Sequence, residues 1–146
     1  MQNYQHLLLA IDYSTETCAI AEKAKALAFC YHAKLSIIHI LDNIPMPDTP
    51  YGAVIPLSIP ADNVLLEEER LKFNQLCDKL DIEFNQRWLI WGVPKQAITE
   101  FASQQQIDLI VTGSHARHGL GLLIGSTANS VLHHAVCDIL AVRISD

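Results

Sequence analysis

Residues 6–41, HLLLAIDYSTETCAIAEKAKALAFCYHAKLSIIHIL, contain two short apolar runs separated by an alanine-rich stretch. The runs 6–11 and 34–41 have the length and composition of strands that are buried on both faces of a sheet. Between them, Ile20, Ala24 and Ala28 recur at helical spacing, which predicts a helix over residues 15–32. Ser14 is its predicted N-cap. A strand, a helix and a strand in this order predict a parallel β-α-β unit.

The same alternation continues to the C-terminus. Pro94 suits the first turn of a helix, because proline lacks the N–H group that would be unpaired there. The pattern predicts an α/β fold, an open and doubly wound sheet of five parallel strands in the order 3-2-1-4-5 with helices on both faces. A single domain over residues 1–146 holds all the segments. The later ones are helices at 62–80, 94–105 and 125–135 and strands at 82–91, 108–112 and 138–144.

Composition limits the classes of partner and compartment. The formal net charge is −6, and no Lys/Arg run offsets it, so nucleic acid and anionic membranes are disfavoured as partners. The apolar run near the N-terminus is too short for a signal peptide or a membrane span, which predicts a cytoplasmic protein. No pair of cysteines forms a CxxC motif, which favours buried, reduced thiols over a disulfide or zinc framework. The cysteines are Cys18, Cys30, Cys77 and Cys137.

One segment interrupts the regular pattern. Residues 42–60 hold five of the six prolines, so they predict a long irregular loop between the second strand and the second helix. Loops of this length often act as lids or binding loops. A loosely ordered insertion without a role is the equally weighted alternative. On the third strand, Trp88 and Trp91 are expected to share a face and to pack.

A ligand site is expected where the strand order reverses, beyond the carboxyl ends of the first and fourth strands. Asp12 follows the first strand, and residues 113–128, GSHARHGLGLLIGSTA, follow the fourth. Gly125 would let a phosphate approach the backbone, and the free N–H groups of Ser126, Thr127 and Ala128 would face it at a helix start. The same residues are also consistent with an ordinary capped helix. Neither GxxxxGK[ST] nor GxGxxG is present, which disfavours a dinucleotide-binding dehydrogenase.

The passage from Gly113 to Leu120, followed by residues 125–129 (GSTAN), resembles the nucleotide loop of the universal stress protein family, in its bacterial universal stress protein A branch. The resemblance extends to HLLLAIDYS at residues 6–14 and to the second strand. It also covers the last two strands, DLIV at 108–111 and CDILAV at 137–142. Only residues 42–63 fall outside it.

The resemblance implies a homodimer formed along the last strand and a site for ATP, with Mg²⁺ left open, or in one subgroup no nucleotide at all. Asp12 and Ile40 would line the adenosine, and Gly113 and His115 would lie under the ribose and phosphates. The phosphates would be held by Gly125, Ser126, Thr127 and Ala128. The family's binding pattern has glycine where this chain has Ala116, and that departure bears on ATP affinity because a methyl group could strain or crowd the loop.

Three functions follow as hypotheses. The first is a stress-response regulator that binds an adenine nucleotide as a homodimer, and the second is a dimeric stress protein without nucleotide. The third is a slow nucleotide hydrolase, which ranks last because only His115 or Asp12 could serve as a general base. No residue is assigned a catalytic or metal-binding role, since His115 and His118 lack a third ligand.

Overall fold

The computed structural model describes residues 3–46, 52–114 and 133–144. Its five strands are all parallel and lie in the order β3-β2-β1-β4-β5, which confirms the predicted sheet. The strands are β1 His6–Ala10, β2 Lys34–Leu41, β3 Arg87–Trp91, β4 Leu109–Gly113 and β5 Asp138–Val142. The helices in the described residues are α1 Thr17–Tyr31, α2 Val64–Lys79 and α3 Pro94–Gln104, and a single 3₁₀ turn covers Phe84–Gln86.

The strands are central because both of their faces are apolar. Leu7 and Leu9 of β1 lie in one core cluster with α1 and α2, while Leu8 lies in a second cluster with α3. Alternate residues of a strand point to opposite faces, so one short apolar run fills two layers. Helix α1 packs closely because it turns Ala21 and Ala24 toward the sheet, and both are fully buried. Helices therefore cover both faces of the sheet, as the sequence predicts.

Four local predictions need correction. The third strand is shorter than residues 82–91, because the 3₁₀ turn precedes it. Helix α1 has Glu16, not Ser14, at its N-cap position; the Ser14 N–H group instead donates to Asp12 Oδ1. Trp88 and Trp91 pack into different core clusters, since residues three apart on a strand lie on opposite faces. Of the four cysteines, which are free thiols, only Cys77 is buried; Cys18 and Cys137 are half-buried and Cys30 is exposed.

The described part of the proline-rich segment covers an edge of the sheet. Val54 forms an antiparallel bridge with Ile90 of β3, and Ile55 and Leu57 are buried in the core cluster of α1 and α2. Arg70 of α2 donates to the Leu57 carbonyl at 2.8 Å. An edge strand left open invites pairing with another chain. Residues 52–60 thus form an edge cover that pairs with β3 and packs into the core.

The predicted fourth helix, residues 125–135, lies almost wholly outside the described residues. Of its final part, His133 and His134 are helical. No helix among the described residues is both long enough and apolar enough to cross a membrane.

Candidate functional site

The candidate site lies at the carboxyl ends of β1 and β4. From β1 the chain proceeds to β2 on one side, while β4 flanks β1 on the other, so the direction of winding reverses between β1 and β4. At such a point the connections diverge to opposite faces and leave a crevice above the strand ends. Asp12 and Gly113, two residues predicted from the sequence, are brought to this crevice by neighbouring strands.

Asp12 is fixed by a local turn. Its Oδ1 atom accepts a hydrogen bond from the Ser14 N–H group at 3.0 Å, and the side chain stays partly exposed. This arrangement is an Asx turn, a structural role that needs no ligand. One carboxylate oxygen suffices for the turn, and a carboxylate has further acceptor capacity. The turn therefore orients Asp12 without using up its ability to accept from a ligand.

Tyr13 anchors this turn to the α2 side of the sheet. Its φ of 63° is in the left-handed region, which is uncommon for a residue with a large side chain. The Tyr13 ring lies 4.4 Å from the His39 ring, and the Lys72 ammonium sits 4.1 Å from the Tyr13 ring centroid. His39 in turn bonds the Ile11 carbonyl through Nδ1 at 2.9 Å. These contacts fix the backbone next to Asp12. They lie on the face of the sheet that is opposite to α3.

Ile40 lies on the α3 face of β2, where it is 5% exposed and packs with Leu8 and Phe101. The β1–β2 ladder pairs Ala10 with Ile38, so continuing that register by two residues sets Asp12 level with Ile40. Two residues that are far apart in the sequence are thereby brought to the same end of neighbouring strands. Ile40 itself belongs to the apolar core beneath this end of the sheet.

Gly113 marks a close approach between β4 and α1. A Cβ atom added at Gly113 would lie 2.9 Å from Ile20 Cδ1 of α1, nearer than real Cβ contacts allow. The packing of β4 against α1 beneath the crevice thus favours glycine at this position. The resemblance predicts Gly113 as a ligand contact, and that prediction does not include this contact with α1.

Ser114 was not among the residues predicted from the sequence. Its side chain is 5% exposed, and Ser114 Oγ makes no hydrogen bond to any residue that the structure describes. A buried hydroxyl without a partner costs about 1–3 kcal/mol, so most are paired. The sequence places Ser114 one residue past the end of β4 and within the passage that resembles the nucleotide loop, whereas its burial depends on the packing of the sheet.

The other predicted ligand residues lie outside the described residues. They are His115, Ala116, Gly125, Ser126, Thr127 and Ala128. Within residues 3–46, 52–114 and 133–144, no group of three or more His, Cys, Asp or Glu side chains could hold a metal ion.

A doubly wound parallel α/β domain with its crevice at the β1/β4 reversal is the class of protein that this geometry defines. Comparison with known proteins specifies the family. The model of the universal stress protein family matches residues 3–143. Universal stress protein A homolog 2 of Coxiella burnetii is 38% identical over 146 residues, which cover 99% of this chain and 98% of that relative. The chain therefore belongs to the universal stress protein family.

Solved structures agree on the fold. Universal stress protein UspA from Lactobacillus plantarum superimposes with a TM-score of 0.73 at 24% identity, covering 98% of this chain and 100% of that one. The crystal structure of a universal stress protein in complex with cAMP gives a TM-score of 0.70 at 21% identity, covering 99% and 100% respectively.

Proposed function

We propose that this protein is a nucleotide-binding regulator of the stress response, that it takes an adenine nucleotide such as ATP, and that it acts as a homodimer in the reducing cytoplasm. The observation that carries the proposal is the reversal of winding direction between the neighbouring parallel strands β1 and β4, where Asp12 follows one strand and Gly113 ends the other. A structural neighbour in complex with cAMP supports the ligand class.

In this proposal the adenosine rests on Ile40 beside Asp12. The phosphates extend past β4 toward Gly125, Ser126, Thr127 and Ala128, whose sequence suits a helix N-terminus that binds anions. Gly113 and His115 contribute the backbone between the adenosine and the phosphates. Any Mg²⁺ would enter on the nucleotide phosphates, because the described residues contain no metal cluster. Occupancy would order the surface above the crevice and so change what a partner protein meets.

The deciding experiment is calorimetric titration of the purified protein with ATP, ADP, AMP and cAMP, with and without Mg²⁺. Asp12→Asn is the sharpest variant, since an asparagine oxygen still accepts from the Ser14 N–H group while the charge is lost. We expect saturable ATP binding that weakens in Asp12→Asn and persists in the exposed-carboxylate control Asp62→Asn. Absence of heat and of thermal stabilisation at millimolar nucleotide would refute the proposal.

A second variant tests the part of the proposed site that holds the phosphates. Replacing Gly125 and Ser126 with valine would block a close backbone approach and remove a hydroxyl donor. We expect this pair to weaken ATP far more than adenosine. An equal loss for both ligands would place the phosphates elsewhere.

The dimer is proposed to form along β5. Among the described residues β5 pairs only with β4, and Asp138 and Ala141 on it are exposed. The Ser114 N–H group donates to the Val142 carbonyl at 2.9 Å, so Val142 faces β4 and the backbone N–H of Ala141 faces outward. Antiparallel pairing about a two-fold axis would close this edge.

Ala141→Pro tests the dimer directly. It removes an outward N–H group and leaves the β4–β5 ladder intact. Sedimentation is expected to show a dimer for the natural chain and a monomer with unchanged circular dichroism for the variant. A dimer that survives Ala141→Pro would exclude pairing along this edge.

Ala116 favours a second candidate function, a dimeric stress protein that acts through protein contacts without nucleotide. The family's nucleotide-binding pattern, as described above, has glycine at this position. Titration of Ala116→Gly separates the two candidates. Binding that appears only in Ala116→Gly would select the second, and equal binding by both proteins would select the first.

A further inference from the structure

The outward side of helix α2 exposes large apolar side chains. Val64 is 72% exposed and Leu71 is 46% exposed, whereas Phe73 on the opposite side of the helix is fully buried. Val64 and Leu71 are seven residues apart, which is nearly two turns, so they lie on one side of the helix about 10 Å apart. Glu68 lies between them and is exposed as well.

The chain before α2 brings a third exposed apolar side chain to this helix. The Leu57 carbonyl accepts a hydrogen bond from Arg70 Nη1 at 2.8 Å, and the Ala61 N–H group donates to Glu67 Oε1 at 3.3 Å. These two hydrogen bonds hold the segment between Leu57 and Ala61 against the helix. Ile59 lies between the two anchored residues and is 46% exposed.

The three apolar side chains belong to neighbouring parts of one surface. Glu67, which binds the segment that carries Ile59, is three residues after Val64 and four before Leu71. Residues at these spacings are neighbours on a helix surface. We call the surface formed by Ile59, Val64, Glu68 and Leu71 the α2 face. Scattered apolar residues are common on protein surfaces, but a group of adjacent ones rimmed by polar residues is typical of an interaction site.

The charges around the α2 face are acidic. Arg70 is the only lysine or arginine in residues 35–71. Its guanidinium already has partners, since Nη2 donates to Glu67 Oε2 at 2.9 Å and Nη1 donates to a backbone carbonyl. Asp62 and Glu68 are exposed and form no ion pair with any residue that the structure describes. The uncompensated charge beside the apolar side chains is therefore negative.

This combination selects the kind of partner. Asp62 and Glu68 would repel a nucleic acid or an anionic membrane. A second copy of this chain, related by a two-fold axis, would bring the same carboxylates together, because such an interface uses one patch of both subunits. Lys72 does not offset them, since its ammonium lies 4.1 Å from the centroid of the Tyr13 ring. The partner that fits presents apolar side chains beside lysine or arginine.

We infer that the α2 face is a docking surface for a partner protein and that it binds a basic amphipathic helix of that partner. The inference goes beyond the proposed nucleotide function and does not depend on it. A helix that lies along α2 can repeat its apolar residues at the same seven-residue spacing as Val64 and Leu71. Lysine or arginine at its edges would pair with Asp62 and Glu68. The hydrogen bonds of Arg70 fix Ile59 in advance, which reduces the entropy lost on binding.

The first experiment selects ligands without assuming their sequence. A phage-displayed library of random peptides of about 20 residues, long enough to form a helix, is depleted on Leu71→Asp and then selected on the natural chain without nucleotide. We expect the recovered peptides to carry lysine or arginine beside apolar residues at spacings of three and four. Recovery of acidic peptides, or of no peptide that distinguishes the natural chain from Leu71→Asp, would overturn the inference.

A recovered peptide is then synthesised and titrated against matched variants by fluorescence anisotropy. Leu71→Asp and Glu68→Lys should each weaken its binding about tenfold, as residues at the centre of an interface do. Two controls alter exposed groups on other helices. Glu100→Lys makes the same change of charge on α3, and Phe29→Asp replaces an exposed apolar side chain of α1. Both controls should bind as the natural chain does, and an equal loss in either control would overturn the inference.

Further measurements separate misfolding and the other occupants from peptide docking. Far-ultraviolet circular dichroism should be unchanged in Leu71→Asp, and Val64→Asp, at the more exposed position, replaces it in both experiments if that spectrum is lost. A change of oligomeric state in the folded variant would show that a second copy covers the α2 face and would overturn the inference. Loss of peptide binding with ATP binding intact leaves the proposed function standing, and absence of ATP binding leaves this inference standing.

Discussion

Replacing Gly113 with alanine tests the close approach of β4 and α1 beneath the crevice. The new Cβ would lie 2.9 Å from Ile20 Cδ1, and Ile20 is 6% exposed, so the side chain has little room to withdraw. Overpacking of this kind costs about 1–3 kcal/mol, and the lower half of that range applies because Cδ1 ends a rotatable side chain. Urea unfolding should therefore show a loss of about 1–2 kcal/mol.

A double-mutant cycle identifies the contact responsible. Ile20→Val deletes Cδ1 and alone should cost about 0.5–1.5 kcal/mol. If the clash is with Cδ1, the double variant that carries Gly113→Ala and Ile20→Val should lose little more free energy of unfolding than Ile20→Val alone. Gly92→Ala is the matched control, since its Cβ would meet Ala97 Cβ at 3.5 Å, an ordinary contact. Strictly additive losses in the cycle would refute this account of Gly113.

Three further predictions concern other parts of the fold. Burial lowers the pKa of His6, so the unfolded chain binds a proton at this histidine more readily than the folded chain does. The free energy of unfolding should therefore fall as the pH falls through the ordinary histidine pKa. A His6 pKa at or above its ordinary value in an NMR titration would contradict this prediction. Burial raises the pKa of the Cys77 thiol to about 12, so a thiol reagent should modify exposed Cys30 first and Cys77 only on unfolding, as mass spectrometry of the labelled peptides would show. Arg70→Ala removes the guanidinium that holds the Leu57 carbonyl at 2.8 Å, so limited proteolysis within residues 52–60 should accelerate, and an unchanged cleavage rate would count against the edge cover.

The fold was predictable because its signals are local. The apolar runs that became β1 and β2, and the alanine spacing that became α1, are periodic patterns that each segment carries by itself. Alternation of strands and helices then leaves few topologies, because parallel crossovers share one hand. The errors occurred where a competing local group won. The Ser14 N–H group donates to Asp12 Oδ1 in a turn, and the helix begins only at Thr17 after Glu16. A 3₁₀ turn replaced the first residues of the expected third strand.

The candidate site was predictable only in part. Asp12 and Gly113 could be placed at the carboxyl ends of β1 and β4 from the sequence, because one follows and the other ends a strand whose position in the sheet the sequence predicts. Ser114 could not, since its significance lies in being buried without a described partner, and burial is a property of the assembled layers. The requirement for glycine at position 113 likewise depends on an atom of α1 that is distant in the sequence.

By itself, the sequence determined the order of secondary-structure elements, the parallel sheet and its strand order, and the resemblance to the universal stress protein family, because each follows from periodicity and from motifs read along the chain. Only the tertiary structure decided that Ser114 is buried at the end of β4, that residues 52–60 cover the β3 edge, and that Ile20 fills the space beside Gly113. The physical reason is that register and layer contacts join residues far apart in the chain, and no local pattern encodes those distances.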